Sequence, residues 1–147
     1  MSEVSKICIT NKSAEEMQDV NTVEVIASKG IVNDRYFNEN NDQDIQITFI
    51  ESENIDYVNE ISSTSVPYID FRRNIITKGI KLNKLVDKEF IIGNVKIKGH
   101  RLCNPCKYLQ DKLNIENLVK KLVNIGGLRC EILTDGRISV KDKIKIL

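Results

Sequence analysis

Glu89-Phe90-Ile91-Ile92-Gly93-Asn94-Val95-Lys96-Ile97-Lys98 is the stretch whose reading decides the fold. Two β-rich runs flank a Gly-Asn pair, and both residue types tolerate the positive φ of a two-residue hairpin turn. Strands joined by so short a turn are antiparallel neighbours. Upstream, Leu82 and Leu85 read as apolar anchors on a brief turn, Gly79 as a turn, and residues 72–77 (RRNIIT) as a short strand. Ser52 is a candidate N-cap for a helix over 53–61, with Ile55, Val58 and Ile61 spaced for one face. Residues 45–50 (IQITFI) alternate, placing Ile45, Ile47 and Phe49 on one side and Gln46 and Thr48 on the other, as in a core strand. Further upstream come strands at 5–10 and 22–26, a helical turn over 13–17, a break at Gly30 and a solvated polar loop over 38–44.

Downstream, Leu109, Leu113, Leu118 and Leu122 have helical spacing, in two pieces around Asn114, and Gly126-Gly127 stops that helix. Residues 128–133 (LRCEIL) read as a strand and Asp135-Gly136 as a hairpin turn. The closing strand over 138–147 puts Ile144 and Ile146 on one face. The inventory is seven or eight short strands and two or three helices, without regular strand–helix alternation. A doubly wound parallel sheet is thereby disfavoured. The sequence predicts a mainly β fold: one domain over 1–147, a mostly antiparallel β-barrel decorated by two or three short helices.

Composition narrows the function classes. Lys and Arg total 22 against 21 Asp and Glu, for a net charge of +1, so nothing global favours nucleic acid or an anionic membrane. Any anion site must be a local cluster. No apolar run reaches the roughly 18 residues of a membrane span, and the N-terminus lacks a signal-peptide core. A cytoplasmic protein is expected, in which the four cysteines are reduced thiols rather than disulfides. Abundant Ile, Asn and Lys point to an AT-rich, bacterial genome.

The chemistry concentrates in residues 99–109 (GHRLCNPCKYL), which hold two of the cysteines and the only histidine. Cys103-Asn104-Pro105-Cys106 is a CxxC at a strand-to-helix junction, where a helix N-terminus and the cations Arg101 and Lys107 favour thiolate. Three chemistries fit that spacing. Half a zinc site needs further ligands, for which His100, Cys8 and Cys130 are the candidates. A redox pair has the right helix start but lacks a β-α-β frame. A single nucleophilic or metal-binding thiolate needs one exposed cysteine; Pro105 suits a first helical turn and keeps Cys106 near the helix end. Against all three stands simple burial of the thiols, the reading preferred for Cys8 and Cys130 inside strands. A second constellation is Arg72-Arg73-Asn74 with Arg35 and Arg101. Guanidinium forks bind phosphate bidentately, and the cluster acts as one site only if these segments converge.

Taken together and in order, these segments resemble the MOSC domain, the family named after the C-terminal part of molybdenum cofactor sulfurases. Residues 30–35 (GIVNDR) resemble the family's Gly-Ile-x-Gly-Asp-Arg-His, followed by Gln46-Ile47-Thr48. Residues 72–77 resemble its Arg-Arg-Asn-Ile motif, and 85–93 its Leu-x-Gly-x-x-Phe-x-Ile-Gly. Residues 99–106 resemble its cysteine segment, and 126–136 its closing hairpin. Three positions depart from the pattern: Asn33 and Asp87 stand where the family has glycine, and Tyr36 where many members have histidine.

The resemblance implies a β-barrel that works with the molybdenum cofactor, molybdopterin. Cys106, the better match after proline, with Cys103 as the other candidate, carries sulfur or ligates molybdenum. Arg35, Arg72, Arg73, Asn74 and Arg101 hold the pterin phosphate. The implied activity is sulfurtransferase-like or cofactor-dependent, in sulfuration or delivery. No pyridoxal-phosphate lysine motif or electron-transfer module is recognisable, so a cysteine desulfurase-like sulfur donor or a molybdoenzyme is the expected partner. The alternative is a non-catalytic barrel that binds structural zinc or a partner protein through the CxxC corner.

Overall fold

The computed structural model describes residues 2–12, 15–103, 110–111, 113–115, 117–121 and 123–147. Among them run strands β1 (Glu3–Ile9), β2 (Gln18–Val20), β3 (Thr22–Ile26), β4 (Gly30–Ile31) and β5 (Ile47–Glu51), then helix α1 (Ser52–Ser62) and β6 (Ile75–Lys78). The chain continues through β7 (Glu89–Ile92), β8 (Val95–Leu102), helix α2 (Leu118–Lys121), β9 (Leu128–Ile132), β10 (Gly136–Ser139) and β11 (Ile144–Ile146). Short 3-10 turns lie at Tyr68–Phe71 and Leu82–Leu85.

The Gly93-Asn94 hairpin forms as its residues require: β7 and β8 pair antiparallel, with Ile92 opposite Val95. They belong to a large sheet in the order β11-β7-β8-β9-β5-β6-β1-β2, while β10-β3-β4 form a small second sheet. Among the paired strands only β5 and β6 run parallel. A bridge between Glu3 and Lys143, with the Val4 N–H on the Asp142 carbonyl at 2.9 Å, brings the start of β1 to that of β11. The large sheet thus curls into a half-barrel, mainly β and mostly antiparallel, with helices outside it.

Strand β5 is central, and all five of its residues are buried. Its alternation sorts residues between two apolar clusters rather than between core and water. Ile47 and Phe49 join the interior, where Phe49 meets Phe90 edge-on at a centroid distance of 5.6 Å. Ile50 joins Cys8, Ile55, Val58, Phe71, Ile76, Ile115 and Leu118 in the layer under α1. Each such aliphatic or aromatic side chain contributes about 1.5–3 kcal/mol when fully buried.

Several boundaries differ from the sequence reading. Helix α1 begins at Ser52, with Glu51 at the N-cap position and no side-chain cap, because Glu51 still belongs to β5. Ile61 is exposed: two three-residue steps from Ile55 carry it about 120° round the helix, off the buried face. The strand expected from Arg72 starts at Ile75, since the preceding 3-10 turn ends with Arg72 in the left-handed region at φ 63°. Met17 lies outside any helix, and Ser13 and Ala14 lie outside the described residues.

Asp135-Gly136 is not a hairpin turn. Strand β9 stays in the large sheet while β10 pairs with β3, so the dipeptide is a crossing between sheets. There Gly136 passes so close to β8 that a Cβ would sit 2.7 Å from Val95 Cγ2, and the Asp135 carboxylate accepts the Ala27 N–H at 2.7 Å. Ile146 is exposed while Ile144 is buried, because the edge strand β11 runs off the core. Beyond Cys103, Gln110 and Asp111 are helical, and Asn114, at φ 54°, separates that segment from α2 as its side chain suggests. The helix start expected from Lys107 lies outside the described residues.

Candidate functional site: an arginine cluster across the sheet

One row across the large sheet, Leu102, Leu128, Phe49, Ile75 and Ile7, joins the end of β8 and the start of β9 to the middle of β5, the start of β6 and the C-terminal part of β1. Asn74, with no solvent exposure, ties the strands beside this row together. Its Oδ1 accepts the Thr48 N–H and hydroxyl, both at 3.1 Å, and its Nδ2 donates to the Cys8 carbonyl at 3.2 Å. The Asn74 N–H donates to the Thr48 hydroxyl at 3.0 Å, and the Cys8 N–H to the Asn74 carbonyl at 2.7 Å. One side chain therefore ties β1 and β5 to the residue that opens β6.

The arginines are arrayed around that node. Arg35 lies over the Tyr36 ring, 4.3 Å from its centroid, and donates to the Arg72 carbonyl at 3.0 Å and the Met17 Sδ at 3.2 Å. Its neighbour Asp34 receives the Thr10 and Tyr36 N–H groups at 3.2 and 3.3 Å. Burial raises the Asp34 carboxyl pKa, with the Arg35 charge and those bonds opposing the shift. Arg72 is buried and donates to the Glu15 carbonyl at 2.5 Å. Arg73 donates from Nε to the Gly126 carbonyl at 2.9 Å. At Gly127, at φ 115°, a Cβ would lie 2.1 Å from the Phe49 carbonyl oxygen and 3.4 Å from Arg73 Nε. Only glycine permits this approach, and Cys103 closes the corner from the other side, its N–H on the Gly127 carbonyl at 2.8 Å.

Arg101, on β8, is half exposed and donates to Asp44 at 2.5 Å. That bond, aided by the charges of Arg101 and Arg129, holds the Asp44 carboxyl below the ordinary range. His100 pairs its Nε2 with Glu131 at 2.8 Å. The three sequence segments that carry Arg35, Arg72-Arg73-Asn74 and Arg101-Cys103 therefore converge. Cys106, the preferred functional thiol, lies outside the described residues. Cys103 is 4% exposed, and Cys8 and Cys130 are fully buried in strands. Burial raises the Cys8 thiol pKa to about 12 and pushes that of Cys130 well above the ordinary range. Among the described residues no group of three or more His, Cys, Asp or Glu is arranged to hold a metal.

Two members of the site fall within the matched motifs but were not read as site residues from the sequence. Thr48 completes the Asn74 node. Arg129, on β9, lies opposite both Thr48 and Arg101, and its Nε is buried with no hydrogen-bond partner. In the alternating LRCEI, an arginine between apolar residues reads as a solvated face, and only the strand register reveals where it sits. The two glycine departures are explained by the backbone. Asn33 and Asp87 adopt left-handed φ values of 73° and 62°, a region that Asn and Asp enter more readily than other non-glycine residues.

Comparison with solved structures finds the same fold in YuaD from Bacillus subtilis, at a TM-score of 0.82 and 14% identity, over 99% of this chain and 96% of that one. YiiM from Geobacillus stearothermophilus aligns at 0.81 and 16% identity, over 100% and 75% of the two chains. YiiM from Escherichia coli aligns at 0.70 and 16% identity, over 99% and 69%. Comparison with curated sequences returns no match. The sequence model of the MOSC domain matches residues 34–145, which contain Arg35, the RRN motif, both corner cysteines and Arg129, and the chain therefore belongs to the MOSC domain family.

Proposed function

We propose that this MOSC-domain protein works with the molybdenum cofactor, with Cys106 carrying sulfur or ligating molybdenum for cofactor sulfuration or delivery. The observation that carries the reading is the convergence of the segments that carry Arg35, Arg72-Arg73 and Arg101-Cys103 beside Gly126-Gly127, where β9 begins. The fit to an anionic group rests on Arg129, whose buried Nε lacks a partner there. When bound, the cofactor supplies a molybdenum centre and a pterin bearing a phosphate.

The protein's residues divide the remaining work. Arg73, Arg101 and Arg129 would hold the phosphate through charge-assisted hydrogen bonds. Arg35 and Arg72, tied to the Arg72 and Glu15 carbonyls, and Asn74, tied to Thr48 and Cys8, hold those donors in place. For sulfur transfer, the Cys106 thiolate attacks the terminal sulfur of a persulfide on a cysteine desulfurase-like donor. The new S–S bond forms on Cys106, and the donor's cysteine leaves as thiolate. The site belongs in the cytoplasm, where such donors and molybdoenzymes are available. Among the described residues no helix is long and apolar enough to cross a membrane.

The test is metal and pterin analysis of protein purified from a host that makes the cofactor. Molybdenum together with pterin supports the reading. Stoichiometric zinc without pterin overturns it in favour of a structural CxxC module.

A further inference from the structure

We infer that Arg101 and Arg129 form an oxyanion subsite for a phosphate monoester, and that Asp44 fills it as an internal stand-in until the ligand displaces it. The inference rests on the reading of this part of the sheet as a ligand site. Strand register sets Arg101 directly opposite Arg129, with Thr48 next in the row. Directly opposed residues share a face of the sheet, and like charges so placed repel unless an anion lies between them.

Among the described residues, Asp44 is the carboxylate that answers both arginines. It accepts from Arg101 Nε at 2.5 Å, and Arg129 acts on it only through charge. Glu131, two residues along β9 from Arg129, is engaged by His100. Two guanidinium groups thus face one carboxylate, and the buried Arg129 Nε stays unbonded. A phosphate, with three terminal oxygens in place of two, can accept from both forks at once.

Asp44 is placed to give way. It follows the exposed Asp42 and Gln43 in a turn whose ends are pinned independently. Asn41 Nδ2 donates to the Lys29 and Tyr36 carbonyls at 2.8 and 2.6 Å, and the buried Gln46 donates to the Asp42 carbonyl at 3.3 Å. Within the turn, the Ile45 N–H reaches the Asp42 carbonyl only at 3.4 Å. Asp44 can therefore swing out without disturbing β5.

The experiment is calorimetric titration of the full chain, prepared in phosphate-free buffer, with inorganic phosphate. Asp44→Asn should bind about tenfold tighter than the wild type, because the competing charge is gone, and Arg129→Gln about tenfold more weakly. Arg129→Lys, which keeps the charge but loses the fork, should not restore affinity. Equal affinity across the wild type and these variants, or no binding even by Asp44→Asn, overturns the inference. Thermal midpoints identify any variant that misfolds, and the lysine variant guards against that outcome for the glutamine one. Molybdenum and pterin content of the same variants separates this claim from the functional one. Cofactor retained while phosphate binding ignores Arg129 defeats the subsite alone. Arg129-dependent phosphate binding by protein that never carries pterin assigns the subsite to a different phosphate ester and defeats the functional reading alone.

Discussion

Replacing Asn74 with alanine removes its side-chain hydrogen bonds to Thr48, Cys8 and the Asp34 carboxyl from a position with no solvent exposure. Two backbone groups, the Thr48 N–H and the Cys8 carbonyl, lose the partner that satisfies them. Each orphaned group costs about 1–3 kcal/mol, so Asn74→Ala should destabilise the fold by roughly 2–6 kcal/mol. Against the ~5–15 kcal/mol total of a typical domain this is a large share, and it corresponds to a fall in thermal midpoint of roughly 5–25 °C. Asn74→Asp sharpens the test. It keeps the acceptor for Thr48 but sets a second oxygen against the Cys8 carbonyl and a carboxyl beside buried Asp34, and burial with that neighbour raises the pKa of the new carboxyl above its unfolded value. Its stability should therefore be greatest at low pH, where the protonated group can donate, and fall as pH rises through the folded pKa. The assay is thermal unfolding followed by circular dichroism across a pH series. An alanine variant melting within about 2 °C of the wild type would show that Asn74 does not hold the three strands together.

Gly127→Ala should fail to fold or lose several kcal/mol (about 3 or more), since its Cβ would press on the Phe49 carbonyl at 2.1 Å and its φ is 115°; soluble yield and thermal midpoint check this. Arg73→Ala should lower pterin retention roughly ten- to a hundredfold, at ~1.5–3 kcal/mol per charged hydrogen bond, and leave the midpoint nearly unchanged; normal retention or a collapsed midpoint would remove Arg73 from the site. Burial raises the Glu51 carboxyl pKa, so its contribution to stability is present below the unfolded value and is lost as pH rises through the folded one. Glu51→Gln, which keeps an acceptor for the Leu82 N–H, should flatten that slope in melting curves taken upward from the ordinary carboxylate range, the direction in which the pKa is raised.

What the sequence made legible depended on the range of the cause. The Gly93-Asn94 hairpin and the β5 run were readable because turn chemistry and alternation act within a few residues. Asp135-Gly136 misled because the same residue types serve a crossing between sheets, where the demand comes from Val95 and Ala27, far away in the chain. Arg35, Arg73 and Arg101 stood out by residue type, but their convergence required the long-range partners Arg72, Gly126 and Asp44. Arg129 was hidden in a strand pattern that also describes an ordinary wet face. Asn33 and Asp87 looked like losses of glycine until their φ values showed the glycine-like backbone retained.

The thiol measurement tests the central claim most directly, because the proposed chemistry runs through one cysteine, three residues after Cys103 in the chain. Alkylation of the reduced protein near neutral pH, mapped by peptide mass spectrometry, should label Cys106 first, and Cys106→Ser should abolish the fast phase. Cys8 and Cys130, fully buried and with raised pKa values, should react only on unfolding. Cys103 should lag behind Cys106, with only 4% of its surface exposed. Faster labelling of Cys103 would move the chemistry to that residue, and silence of both thiols until denaturation would contradict the sulfur-carrier account.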